Sequence, residues 1–306
     1  MVYSGQEKVG FIGVGLMGHG IAKNIVENGY QLFVLAHRNR APVDDLVSRG
    51  ATEVASVTEM AKICRIVFIC VSNSVVVEEI VRGEGGLAYG LARGSVIIDC
   101  STSDPNSTIS LYTELASKGI ELVDAPLGRT PKEAWNGTLD TMVGASDEVF
   151  VRIRPLLDTW AERIIHVGGV GYGRRMKLIN NFLALGFGAL IAEAVVLAQK
   201  VGITSEQFDR VIRGGRLDCG FYRTFIEFTL NGDREAHKFT LSNGLKDLTY
   251  LEAMSNAAGV ANPVGNAAKN AFTVAVAGGG SGAEDYVPML PIYTGLASGV
   301  DMTPRS

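Results

Sequence analysis

The sequence predicts a doubly wound, mostly parallel α/β sheet followed by an all-α second domain. Three observations predict it. Strand-like and helix-like runs alternate through the first 170 residues. The first strand runs directly into a glycine loop that opens a helix. From Arg174 a long apolar helix begins a stretch that is helical to the end. Strand–helix alternation forces parallel pairing through right-handed crossovers. A chain of 306 residues can build two cores, and the expected domains are residues 1–170 and 171–306.

Each element follows from its own residues. Val9–Val14 is a short apolar strand that gives way to Gly13-Val14-Gly15-Leu16-Met17-Gly18 and then to the helical pattern GIAKNIVENG. Gln31–Ala36 is the second strand, followed by a helix near Val43–Arg49. Strands at Ile66–Val71, Ser95–Cys100 and Glu121–Ala125 alternate with helices at Ser74–Arg82 and Asn106–Lys118. Ser103 or Asp104, just before Pro105, suits a helix N-cap, and Asn106 is another candidate. Further strand pieces lie at Thr141–Val143 and Ile164–Val167.

Character changes after Gly168-Gly169-Val170-Gly171. Residues 174–201 read as one helix, apolar on most faces, which requires burial on several sides and suits a spine between two domains. Asparagines, glycines and Glu193 interrupt it, which argues for a buried helix over a membrane span. Helices are expected near Ser205–Arg213, Phe221–Leu230, Leu241–Ala258, Pro263–Ala277 and Val287–Ala297. Gly278–Ala283 reads as a mobile loop, with Glu284-Asp285 placed to cap the following element.

Composition narrows the function. The chain is 47% hydrophobic and 20% charged, with a net charge of −4. That balance argues against a general nucleic-acid binder, which needs a basic field. The four cysteines, Cys64, Cys70, Cys100 and Cys219, form no metal-ligand spacing, and three stand in apolar runs, as buried thiols of a reducing compartment would. No signal-peptide pattern precedes the first strand. The expectation is a soluble cytoplasmic protein with no metal.

Gly13, Gly15 and Gly18 form GxGxxG between a strand and a helix, the context in which that pattern binds a dinucleotide. The first glycine permits the tight turn, the second a close approach of pyrophosphate, the third close helix–strand packing. Leu16 and Met17 complete the loop. A free ribose 2′-hydroxyl calls for a carboxylate at the end of the second strand, a 2′-phosphate for a cation. This chain has His37, Arg38 and Asn39 there and no carboxylate, so NADP(H) is the expected cofactor. Val71, Ser72, Asn73 and Thr102 follow later strands and suit contacts to ribose and nicotinamide.

Chemistry points to GYGRRMKLINN. Lys177 and Asn181 are four apart and share a helix face, with Asn180 beside them. Two asparagines opening an apolar helix need hydrogen-bond partners when buried, and a substrate can supply them. A lysine ammonium near a carbonyl undergoing hydride addition stabilises the developing charge and donates the proton. Arg174 and Arg175 are expected nearby, where cations would lower the lysine pKa.

Taken in order, VGFIGVGLMGHGIAKNI, IDCSTSDP, DAPLGRTPKEAWNGTLDTMVG, GVGYGRRMKLINN and LKDLTYLEA resemble the β-hydroxyacid dehydrogenase family, to which 3-hydroxyisobutyrate dehydrogenase belongs, over nearly the whole chain. The resemblance implies a Rossmann domain, an all-helical C-terminal domain and an active site between them. It implies Lys177 as the catalytic lysine, Asn181 as its partner, and Lys246 as a residue closing over cofactor and substrate. It also implies a homodimer or homotetramer.

One loop departs from the family. Where DAPVSGG is usual, this chain has Gly128-Arg129-Thr130. GRT resembles the sulfolactaldehyde reductase branch, in which the arginine faces a sulfonate. A guanidinium fork suits a tetrahedral oxyanion, sulfonate or phosphonate. The substrate set expected is therefore Ser103, Gly128, Arg129, Thr130, Arg175, Asn180, Asn181 and Lys246. With Arg174 and Arg216 added, the count of cations favours a small oxo-phosphonate, such as 2-oxopropylphosphonate, over a sulfonate or carboxylate. An ion pair between Arg129 and a loop carboxylate such as Glu133 is the competing structural role. Imine reduction and a catalytically idle NADP-binding module are the alternative functions, and Lys177 argues against both.

Overall fold

The structure, a computed structural model, describes residues 7–304 and divides into two compact units between Lys177 and Leu178. In the first, the strands are β1 (Lys8–Ile12), β2 (Gln31–Leu35), β3 (Thr52–Val54), β4 (Ile66–Ile69), β5 (Val96–Asp99), β6 (Glu121–Asp124), β7 (Leu127–Gly128), β8 (Leu139–Gly144) and β9 (Ala161–Gly168). Among the described residues these nine form one sheet in the order β3-β2-β1-β4-β5-β6-β8-β7, with β9 on β8. The first six are parallel, in the 3-2-1-4-5-6 order of dinucleotide-binding sheets. β8 runs antiparallel to β6 and β7 and parallel to β9.

Side-chain alternation explains why the strands read as unbroken apolar runs. Val9, Phe11, Ile66, Phe68, Val96 and Ile98 pack into a core on one face, and Ile12, Val67, Ile69 and Ile97 into a core on the other. Both faces are buried, so hydrophobicity carries no period of two. Each such side chain contributes about 1.5–3 kcal/mol by burial.

The helices are α1 (Gly18–Glu27), α2 (Ala41–Ser48), α3 (Val57–Ile63), α4 (Ser74–Arg82), α5 (Leu87–Gly90), α6 (Pro105–Ser117), α7 (Pro131–Asn136) and α8 (Asp147–Leu157). β3, α3, α5, β7, α7 and α8 escape the sequence reading. β3 and β7 have three and two residues, too few for a pattern. In α8, Pro155 stands inside a helix that Ser146 caps through Val149 N–H, and a proline there masks the helical signal. Six-residue α7 is too short to hold on propensity, and its ends are fixed from outside. Thr130 and Glu133 form a capping box at its start. At its end, Asn24 of α1 donates to Ala134 O at 2.9 Å and Trp135 O at 3.2 Å.

α9 (Tyr172–Lys200) is one continuous helix. It is long and apolar enough to cross a membrane, but 56% of its most apolar window is buried within the protein. In the second unit it joins α10 (Ser205–Ile212), α11 (Gly220–Asn231), α12 (Leu241–Ala258), α13 (Pro263–Ala277) and α14 (Leu290–Ser298). Leu185, Ala192, Val195, Phe225, Leu248 and Phe272 lie at the centre of that core. The single helix expected from Val287 is instead a 3-10 turn, Val287–Met289, followed by α14. Pro291 lacks an N–H and its ring opposes a carbonyl four residues back, so the α-helix can only start beside it. Asp285 closes the preceding loop through Gly282 N–H at 2.7 Å, and does not cap the element after it.

His237 gives this unit an acid-sensitive point. Its Nδ1 lies 3.2 Å from Thr224 Oγ1 and its ring stands edge-on to Phe221. Burial pushes the imidazole down to about 4. Unfolded histidine titrates near 6.5, so the unfolded state takes a proton that the folded state refuses. Stability is full above that value and falls as the pH drops from about 6.5 toward 4. The thermal midpoint should fall by several degrees between pH 7 and pH 5, and His237→Gln should flatten that slope. Equal slopes in both proteins would remove His237 from the account.

Candidate functional site

The loop after β1 fits a pyrophosphate. Gly13 has φ +97°, and a Cβ there would collide with Cys70 O and come within 2.9 Å of Val71 Cγ1. Only glycine makes this turn. Gly15 faces open space, Leu16 is 77% exposed, and Met17 packs against the core. α1, which opens at Gly18, has no side-chain cap, so its first N–H groups are presented to an anion. At the end of β2, Arg40 is tied to Asp44 and Glu53 at 3.1 and 2.9 Å, and Asn39 Oδ1 accepts from Ala41 N–H. His37 is exposed. Exposed Arg38 makes no ion pair or hydrogen bond among the described residues, which leaves it as the cation available to a 2′-phosphate.

The loops after β4 and β5 are linked, since Val71 N–H donates to Ser101 Oγ at 3.0 Å. Asn73 spends its side-chain oxygen capping α4 through Val76 N–H, and its amide reaches Ser72 Oγ at 3.3 Å. Thr102 is half-buried. Asp104 is the α6 cap, accepting from Asn106 N–H at 2.9 Å. Ser103 is 2% exposed, and its hydroxyl has no partner among the described residues. A buried hydroxyl left unpaired is costly unless a ligand engages it.

The strongest construction in the first unit anchors the start of α9. Register places Asp99 and Asp124 side by side at the C-terminal ends of β5 and β6. Asp124 accepts from Gly171 N–H and Arg174 N–H, both at 2.6 Å. Arg174, fully buried, donates to Asp99 Oδ2 at 2.6 Å and to Ser101 O. Burial raises the Asp124 carboxyl pKa, and Arg174 and the backbone donors act against that rise. A Cβ on Gly173 would lie 2.8 Å from Asp124 O and 2.9 Å from Gly144 N, so this approach requires glycine. Arg174 is thus a structural bolt, and its expected place among the substrate's cations is corrected: a guanidinium with zero exposure is committed to Asp99. Half-buried Lys177 follows it by one helical turn.

On the same helix, buried Asn181 donates to Asp247 Oδ2 at 2.6 Å. Lys246 Nζ is 3.4 Å from Asp247 Oδ1 and 5.8 Å from the centre of the Tyr250 ring. Asn180 is exposed, and Arg175 lies over the Tyr172 ring at 5.3 Å.

Arg129 is the non-glycine residue with positive φ, +72°, among the described residues. Its Nη1 donates to Thr138 O at 2.8 Å and Glu162 Oε2 at 2.7 Å, and Nη2 pairs with Asp140 Oδ1 at 3.0 Å. Glu133, the partner nominated from sequence, accepts instead from Thr130 N–H at 3.0 Å. Thr130, expected at the substrate, uses its hydroxyl in the α7 capping box. Gly128 pairs with Asp140 across β7 and β8.

Sequence reasoning missed Asp99, Asp124, Asp247, Asp140 and Glu162. For two of them the signal was present: VIID and ELVD are apolar strands ending in aspartate, and a buried carboxylate demands a partner. No sequence signal pairs Arg129 with Glu162, 33 residues away.

Comparison with known proteins follows the same division. Residues 8–168 match the family model for the NAD binding domain of 6-phosphogluconate dehydrogenase, and residues 171–293 that for NAD-binding of NADP-dependent 3-hydroxyisobutyrate dehydrogenase. The cofactor is NADP(H). A 3-sulfolactaldehyde reductase of Escherichia coli is 32% identical over 298 residues, covering 96% of this chain and 99% of that one. A 3-hydroxyisobutyrate dehydrogenase from Salmonella typhimurium superposes with a TM-score of 0.82 at 24% identity, covering 94% of this chain and 99% of that one. Psf3 in complex with NADP+ and 2-OPP gives 0.79 at 24% identity, with the same coverage. At that identity the two structures speak for the fold alone.

Proposed function

The chain belongs to the β-hydroxyacid dehydrogenase family, and from that premise we propose that it is a cytoplasmic NADPH-dependent reductase of a small aldehyde or ketone bearing a terminal sulfonate, with Lys177 as the proton donor. The observation that carries the reading is the anchored start of α9, which sets Lys177 one turn beyond the C-terminal edge of the parallel sheet, the edge at which such sheets bind ligands. The full-length relative named a 3-sulfolactaldehyde reductase supports the substrate class. Sulfonate ranks above the phosphonate favoured on sequence, because Arg174 is buried on Asp99 and Arg129 is shared between two carboxylates. Fewer cations than expected therefore remain to face a dianion. The exposed residues Met176, Leu183, Leu190 and Leu197, spaced by seven along α9, support a homodimer or homotetramer.

When bound, NADPH supplies a hydride to the carbonyl carbon. Lys177, as the ammonium, stabilises the charge developing on the carbonyl oxygen and transfers its proton there, giving the hydroxyl and a neutral amine that water reprotonates. Asn181, held by Asp247, orients the lysine or the substrate oxygen. Ser103 donates its otherwise unpaired hydroxyl to the substrate. Gly13, Gly15 and Gly18 hold the pyrophosphate, and Arg38 the 2′-phosphate.

NADPH consumption with 3-sulfolactaldehyde, 2-oxopropylphosphonate, tartronate semialdehyde and a cyclic imine tests this. The sulfonate aldehyde should give the highest kcat/KM, and Arg38→Ala should raise the KM for NADPH about tenfold, the size of one charge-assisted contact. Preference for the imine, or no turnover at all, would overturn the reading in favour of imine reduction or an idle cofactor-binding module.

A further inference from the structure

Resting on that reading, we propose that Glu162 is a specificity-determining residue: its carboxylate occupies the oxyanion site that Arg129 presents, and the anionic end of the substrate displaces it on binding.

The Arg129 site is built rather than incidental. A left-handed arginine carries backbone strain and persists only where its surroundings over-determine it. Here Thr138 O, Asp140 and Glu162 fix the guanidinium on three sides. These acceptors differ in how readily they leave. Thr138 O is backbone, and Asp140 is fixed by its pairing with Gly128, with its side chain 25% exposed. The Glu162 side chain is 59% exposed and is the flexible ligand of the three.

Its place in the sheet is the second observation. Leu139 pairs with Ala161 and Asp140 with Arg163, so Glu162 is the extra residue of a β-bulge. A bulge re-aims the side chain it carries, and this one turns a carboxylate onto Arg129 at 2.7 Å, a distance suited equally to a sulfonate oxygen.

Charge then dictates exchange. Arg129 already faces two carboxylates, and a substrate anion added to both would set three negative charges around one positive. Exchange for Glu162 leaves the local charge unchanged for a monoanion and makes it more negative for a dianion, since Asp140 remains. The pair therefore filters by charge as well as by shape.

Titration calorimetry of the full-length, NADPH-saturated protein with ethanesulfonate and methylphosphonate, at low ionic strength, tests the exchange. Glu162→Gln should bind ethanesulfonate about fivefold more tightly than the wild type, the upper end of what an exposed ion pair is worth. In Arg129→Ala that gain should vanish when Glu162→Gln is added. Glu162→Ser should reproduce the gain, which sets it apart from any effect of the glutamine amide. Unchanged affinity in both Glu162 variants, or a gain that survives without Arg129, would overturn the proposal. Failure of the wild type to reduce any sulfonate aldehyde would count against the proposed function alone, because the binding gain is read without turnover.

Discussion

Lys177→Ala is expected to lower kcat by about 10²–10⁴-fold, the usual worth of a positioned general acid, while the dissociation constant for NADPH changes little. The separation follows from where the residue stands. The proposed cofactor cradle consists of the β1 loop and the end of β2, and Lys177 belongs to neither. In the proposed mechanism its amine has two tasks, stabilising charge on the oxygen and releasing a proton, and two variants divide them. Lys177→Arg keeps a positive charge but replaces an ammonium that can release its proton with a guanidinium that does not, so charge stabilisation survives and proton transfer fails. Activity should be only slightly better than in the alanine variant, well short of the wild type. Activity of Lys177→Ala within tenfold of the wild type, with NADPH bound normally, would move the proton donor elsewhere in the site.

The parts of this site legible in the sequence are those that short-range patterns encode. The Gly13–Gly18 loop was readable because strand, glycines and helix are contiguous, and the helix from residue 174 because its apolar character runs for eight turns. Ser103 and Asp104 were readable as a cap beside Pro105, although the structure assigns the cap to Asp104 and leaves the Ser103 hydroxyl unpaired. What stayed hidden depends on register. Nothing local says that Asp99 and Asp124 become neighbours, since that follows from β5 pairing with β6. Nothing local says that a bulge turns Glu162 toward Arg129. Arg174 and Arg175 look alike in the sequence, yet one is fully buried on a carboxylate and the other lies over a tyrosine ring, because successive helix positions differ by 100°. The error over Arg174 came from counting charges without knowing which face each would take.

That buried pair carries the second large effect. Arg174→Met should destabilise the protein by about 3–5 kcal/mol in urea unfolding, because Asp99, 3% exposed, would be left as an uncompensated buried charge. Total stabilities of about 5–15 kcal/mol make this a large fraction. The loss arises mainly from the orphaned carboxylate, so Asp99→Leu in the same chain should recover much of it, buried ion pairs being replaceable by apolar side chains of matching volume. Activity need not recover with it. Asp124 still holds Gly171 and residue 174 through their backbone N–H groups in both variants, but the contacts from the guanidinium to Asp99 and Ser101 O are gone. The first turn of α9 then rests on one carboxylate instead of two, and Lys177 rides on that turn. The double variant should therefore fold almost as well as the wild type, with kcat lowered by about tenfold or more, since small misplacement of a catalytic group is costly. Full recovery of stability together with full recovery of kcat would show that the bolt serves the fold and has no part in placing the lysine.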